Sequence, residues 1–295
     1  MSAPKRPSHS PPEPVRVALD HSGARLAGFA HQPAGPPLAT LVLFPALGVP
    51  ASYYAGFCRG LGEHGIAVLA VDLRGQGDSS PPAGRATRYG YHDLASRDWP
   101  AAVAAARRRF GALPVCTLGH SIGGQISLLH ASLAPETVSG VALVAAGSVD
   151  HRGFRGSRRL AVLAGTQCVA AAASVWGYWP GHRLGFGGRQ SALLMRDWAR
   201  LGRTGRFAPS GADVNYEQLL ARVTSPVLAL SVEGDRLAPP TAVDRLCEKA
   251  PGARLRRSHY APPDGSSLDH FRWTRHGVAI AAQVRAWMET DVIRP

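Results

Sequence analysis

The sequence predicts an α/β fold: a doubly wound, mostly parallel sheet with an inserted, mainly helical cap. Three observations lead there. "TLVLF" at Thr40–Phe44, "IAVLAV" at Ile66–Val71 and the run Pro114–Leu118 are solid apolar blocks, as expected of strands buried on both faces. Helical segments separate them, and strand-helix alternation implies parallel strands joined by crossovers. From about Ser148 to Arg222 the alternation stops; this interval is rich in Gly, Arg and Trp, holds no convincing strand, and reads as the insertion.

Taken in order, residues 1–14, "MSAPKRPSHSPPEP", are rich in proline, serine and charge and read as a disordered tail. They lack the apolar stretch of a signal peptide, so a reducing cytoplasm is the expected location. Val15–Leu19 and Leu26–Phe29 read as a short antiparallel pair around a turn at Ser22-Gly23. Tyr53–His64 is helical and ends at Gly65. Asp98–Phe110 is helical, with Pro100 tolerated in its first turn. Ile122–Ala134 is a helix and Val138–Ala145 a strand. Val227–Val232 and Ala253–Arg257 are two more strands, separated by the helix Pro240–Lys249, and Gly277–Met288 closes the chain as a helix. The expected division is a core over 15–147 and 223–295 interrupted by a cap over 148–222.

Composition narrows the function classes. The 295 residues are 45% hydrophobic, enough for a sizeable core, and carry a formal charge of +13. Almost all the cations are arginine, the lysines being Lys5 and Lys249. They are scattered, and Arg107-Arg108-Arg109 and Arg158-Arg159 have no interleaved aromatics, so no nucleic-acid partner is expected. Cys58, Cys116, Cys168 and Cys247 lack C-x-x-C spacing, which argues against zinc or a disulfide framework.

The chemistry centres on "CTLGHSIGGQISLLHA". Gly119-His120-Ser121-Ile122-Gly123 fits G-x-S-x-G, a weak pattern by itself. Here a strand precedes it and a helix follows, as a nucleophile elbow requires. An ordinary Gly-rich turn explains the glycines but not what comes later. A serine hydroxyl needs a base to become nucleophilic, and the base needs an orienting acid. Asp235 lies just past the strand "PVLALSV", and His270 lies past the last strand in "LDHFRW". The order Ser121, Asp235, His270 is that of one known hydrolase arrangement. Glu233 competes with Asp235, and His259 and His276 compete with His270; His120 is expected to pack under the cleft. Asp78 and Arg74 are expected to brace their own loop.

Three ordered segments carry a family resemblance. "DLRGQGDSS", Asp72–Ser80, resembles the D-x-R-G-x-G-x-S loop after the second parallel strand of many α/β-hydrolases. "GHSIGG" resembles their elbow, and "SPVLALSVEGDRLAPP" their acid-bearing strand and loop. The cap segments "GYWPGHRLGFGG" and "DWARLGRTGRF" resemble a branch of uncharacterised members. The resemblance covers Val15 to Met288 and implies an esterase-like serine hydrolase acting through a Ser121-His270-Asp235 triad, with no metal or organic cofactor. It also implies an oxyanion hole from the amides of Ile122 and either Leu47 or Ala46, since Pro45 has no N–H. The chain departs from the family in two places: Phe44-Pro45-Ala46-Leu47-Gly48 stands where many relatives carry His-Gly after the first parallel strand, and Asp269 precedes His270 where glycine is common. An acyltransferase using the same triad, or a ligand-binding protein without activity, are the alternatives.

The expected partner is a small ester with an apolar acyl group. Trp176, Tyr178 and Trp179 are the candidate substrate-binding residues, although each also suits cap core. The stretch Leu160–Trp179 carries no charge. It is long enough to cross a bilayer, but a span there would put the two halves of the sheet on opposite sides of the membrane. A helix covering the cleft is the expectation, with weak contact to an anionic membrane surface as a second use of its cationic ends.

Overall fold

A computed structural model describes residues 12–21 and 23–294. The tail expected over 1–14 therefore lies, through residue 11, outside the described residues, as does Ser22 of the first turn. Strand β1 (Val15–His21) pairs antiparallel with β2 (Ala24–His31). After β3 (Ala39–Phe44), a 3-10 turn at Ala51–Tyr54 leads into α1 (Ala55–Glu63) and then β4 (Ile66–Val71). A single helical turn, α2 (Tyr91–Asp93), continues through a π turn into α3 (Trp99–Phe110), followed by β5 (Val115–His120), α4 (Ile122–Leu133) and β6 (Gly140–Val144). Next come α5 (Ser157–Trp176), β7 (Tyr178–Pro180), α6 (Gly181–Leu184), β8 (Arg189–Ser191), α7 (Ala192–Thr204) and α8 (Tyr216–Leu220). The chain then returns to the sheet with β9 (Pro226–Val232), α9 (Pro240–Cys247), β10 (Arg254–Tyr260) and α10 (Gly277–Met288).

Eight strands form one sheet in the order β1-β2-β4-β3-β5-β6-β9-β10, parallel from β4 to β10. The solid apolar strands follow from this layering. In β3, Val42 and Phe44 pack toward Trp99 and Ile126 of α3 and α4. Leu41 and Leu43, on the other face, pack with Phe57 of α1 and Trp287 of α10. Successive side chains of a strand point to opposite faces, so covering both faces demands apolar residues at every position.

Three departures from the sequence reading each have a physical reason. The strand β10 runs past the expected Arg257 to Tyr260, which pairs with Val232. It is an edge strand, with Arg254 and Arg256 exposed, so apolar patterning does not mark its end. Strands β7 and β8 form a hairpin where no strand is expected; three residues each leave no periodicity to read. Helix α5 stops at Trp176 because Gly177 adopts φ +79°, a left-handed helix terminator. Tyr178 and Trp179 consequently belong to β7.

Candidate active site

Ser121 stands between β5 and α4 with φ 55° and ψ −121°. A non-glycine residue held there is strained, and such strain persists only where the surroundings impose it. The neighbours show the imposition. A Cβ on Gly119 would lie 2.0 Å from the Gly124 nitrogen, and one on Gly123 would lie 2.4 Å from the Phe44 carbonyl oxygen. Only glycine lets strand and helix close this tightly, and the turn pushes Ser121 up toward the cleft. Directly beneath, His120 is fully buried. Its Nδ1 lies 2.7 Å from the Tyr54 hydroxyl, and its ring centroid is 4.7 Å from that of His270. Burial, and then the nearby His270, hold the His120 ring well toward its neutral form.

The loop after β9 carries Asp235. Its Oδ1 accepts the amides of Leu237 and Ala238, at 2.8 Å and 2.9 Å. Its Oδ2 lies 2.8 Å from His270 Nδ1, and both residues are buried. An imidazole held at Nδ1 by a carboxylate offers Nε2 to another group. The competing candidates pair with each other instead. His259 Nε2 lies 2.9 Å from Glu233 Oε2, and its Nδ1 lies 2.8 Å from Ser231 Oγ within the sheet. Asp269 Oδ1 accepts the amides of Phe271 and Arg272, capping the following turn. Arg74 and Asp78, expected to brace their own loop, tie it to other elements: Arg74 pairs with Asp98 at the start of α3, and Asp78 with Arg16 of β1.

Ser121 and His270 line one cavity of about 280 Å³. Its walls are otherwise mostly apolar, including Val162, Gly165 and Val169 of α5, Trp198 of α7, Phe186 and Phe271. No carboxylate belongs to this lining. Leu47 and Ile122 also line it, and among the described residues neither amide meets an acceptor. Ile122 opens α4, where the first amides have no partner within the helix. The Ala46 amide, by contrast, donates to the Tyr54 hydroxyl at 3.0 Å and is already engaged.

Trp176, Tyr178 and Trp179 do not line the cavity, which corrects the sequence expectation. Gly177 ends α5 before Tyr178, and Trp176 faces outward. Trp179 Nε1 donates to the Phe186 carbonyl oxygen at 2.8 Å, holding the loop whose ring does enter the cavity. Tyr178 lies under the Arg189 guanidinium. The wall residues Val162, Gly165 and Val169 were missed because an uncharged helix does not advertise which side faces inward; their three- and four-residue spacing is the only signal. Among the described residues, no group of three or more His, Cys, Asp or Glu side chains is arranged to hold a metal ion.

Comparison with known proteins agrees with this architecture. A family model described as serine aminopeptidase, S33, matches residues 35–177, a little under half of the chain. "Putative carbamate hydrolase RutD" of Cronobacter sakazakii is 26% identical over 242 residues, covering 72% of this chain and 82% of the relative. The α/β hydrolase GrgF from Penicillium sp. sh18 superposes with a TM-score of 0.64 at 16% identity, covering 95% of this chain and 99% of that one. Est1E from Butyrivibrio proteoclasticus superposes at 0.60 with 14% identity, covering 94% and 98%. What the solved structures share with this chain is the sheet and its crossovers over nearly the whole length, and the chain has the α/β-hydrolase fold.

Proposed function

We propose that the protein is a serine hydrolase that cleaves carboxylic esters or thioesters of apolar acyl groups through an acyl-enzyme. The observation that carries this reading is the buried Asp235-His270 pair, whose His270 lines an apolar cavity together with Ser121 at a strained elbow. Ser121 Oγ attacks the carbonyl carbon while His270 takes its proton, and Asp235 stabilises the imidazolium. The free amides of Leu47 and Ile122 receive the oxyanion, each donor being worth about 3 kcal/mol in the transition state. His270 then protonates the departing alcohol or thiol, and water repeats the attack to release the acid.

The cavity lining favours this substrate class over others that the comparisons suggest. An aminopeptidase binds a charged amino terminus and needs a carboxylate near it, and the lining has none. A carbamate without an apolar substituent would leave most of a 280 Å³ apolar space unfilled. The test is hydrolysis of p-nitrophenyl esters from acetate to octanoate, with fluorophosphonate labelling in parallel. Wild type should label once and prefer medium chains. Ser121→Ala should lose both labelling and turnover while staying folded, since the substitution keeps the turn's Cβ. Labelling that survives in Ser121→Ala would refute the nucleophile, and a preference for aminoacyl amides would refute the substrate class.

A further inference from the structure

We propose that the outer face of α5 is a docking surface for an anionic phospholipid bilayer, on which the protein lies flat without inserting a span. Ala161, Ala164, Cys168, Ala171 and Val175 recur at three- and four-residue spacing and form one exposed stripe along this helix. Leu160 and Trp176 flank it, and exposure reaches 68% at Leu160 and 82% at Val175. Helix α5 contains no acidic residue. An apolar face this long is unusual on a protein surface unless something covers it.

The charges at its two ends say what covers it. Arg155 and Arg159 are exposed at the N-terminal end. At the C-terminal end lies a hollow of about 210 Å³ lined by Arg85, Thr87, Arg88, Ser174 and Arg196, with no carboxylate among its walls. Among the described residues these three arginines form no ion pair. Guanidinium groups with hydroxyls beside them suit lipid phosphates. An apolar helix face between cationic ends is the pattern of a helix lying in the headgroup layer.

Two other occupants fit less well. A membrane span is excluded by the fold, because α5 connects β6 to β9, which are hydrogen-bonded neighbours in one sheet. The side of α5 carrying Thr166 and Ala173 is also buried. A second copy of this chain would bring arginines against arginines on a chain of net charge +13. Lipid contact also explains the cavity mouth. Phe186, Leu237 and Phe271 line the cavity yet remain 36%, 44% and 37% exposed, and Gly165 joins the cavity wall to the outer stripe. The inference does not need the proposed reaction to be correct.

The full chain should be co-sedimented at low salt with phosphatidylcholine vesicles and with vesicles one-third phosphatidylglycerol. Cys168 offers a local probe, because Cys58, Cys116 and Cys247 are buried and it alone of the four is exposed. An environment-sensitive dye on Cys168 should brighten and shift to the blue only with anionic vesicles. Val175→Asp should lower the partition coefficient at least tenfold. Each arginine near the surface is worth about fivefold, so Arg85→Gln with Arg88→Gln should lower it about twenty-five-fold. Arg108→Gln with Arg109→Gln, on α3 of the core, removes the same charge and should leave it nearly unchanged. Ser121→Ala should bind like wild type, which separates this inference from the proposed chemistry. Absence of binding to anionic vesicles, equal loss from both arginine pairs, or sedimentation with no change at the Cys168 dye would overturn it. A dimer seen by light scattering and abolished by Val175→Asp, without vesicle binding, would assign the face to a second copy instead.

Discussion

Gly165→Leu tests the cavity as an acyl site with two readouts of opposite sign. Gly165 lies in the interior of α5 and forms part of the cavity wall, one turn from Val162 and Val169. A Cβ built there meets nothing within 4 Å, so the new side chain enters open space. Leucine is a better helix former than glycine by about 0.8 kcal/mol, so the thermal midpoint should hold or rise slightly. The side chain adds four carbons to a space of about 280 Å³ and takes room from the acyl chain. If each buried methylene contributes about 0.8 kcal/mol, losing about four amounts to roughly 3 kcal/mol, on the order of 100-fold in kcat/KM. Octanoate ester hydrolysis should fall by that factor relative to wild type, while acetate hydrolysis changes little. The assay is kcat/KM across p-nitrophenyl esters with thermal unfolding alongside. Equal losses on acetate and octanoate, or no loss on either, would show that the cavity does not hold the acyl chain.

Other expectations follow from the same geometry. His270→Ala should lower kcat on the order of 10³-fold, whereas His259→Ala, which breaks only the Glu233 and Ser231 contacts, should be mild; the reverse ranking would reassign the base. Tyr54→Phe leaves the Ala46 amide and His120 Nδ1 without their shared partner, and should cost about 1–3 kcal/mol in urea unfolding; an unchanged urea midpoint would remove the network's structural role. Burial lowers the His130 imidazole to about 4 from its ordinary 6.5. The unfolded chain therefore takes up that proton first, so the stability held above the unfolded value is lost as pH falls from about 6.5 through about 4. The full difference is about 3 kcal/mol. Urea midpoints between pH 7 and pH 4 should fall less steeply in His130→Gln than in wild type, and parallel curves would contradict the assignment.

The sequence by itself determined the sheet and the order in which the proposed Ser121, Asp235 and His270 follow one another. Strands buried on both faces must be apolar throughout, so Thr40–Phe44 and Ile66–Val71 are legible without a structure. The elbow is equally legible, because a turn with a Cβ contact of 2.0 Å at Gly119 permits no other residue there. Asp235 and His270 are nameable from their place after strands, but nothing local distinguishes His270 from His259, both of which stand near an acid. The choice is tertiary: the loop after β9 folds Asp235 onto His270, while the extra length of edge strand β10 sets His259 beside Glu233. The choice of proposed oxyanion donor is tertiary too, since only the approach of Tyr54 shows that the Ala46 amide is engaged, while among the described residues the Leu47 amide meets no acceptor. The largest shift concerns the cap. An uncharged helix has no polar side to fix its rotation, so its sequence marks a long apolar element without saying which stripe faces the cavity. Packing against α7 makes that choice, turning Val162, Gly165 and Val169 inward and leaving Trp176 outside.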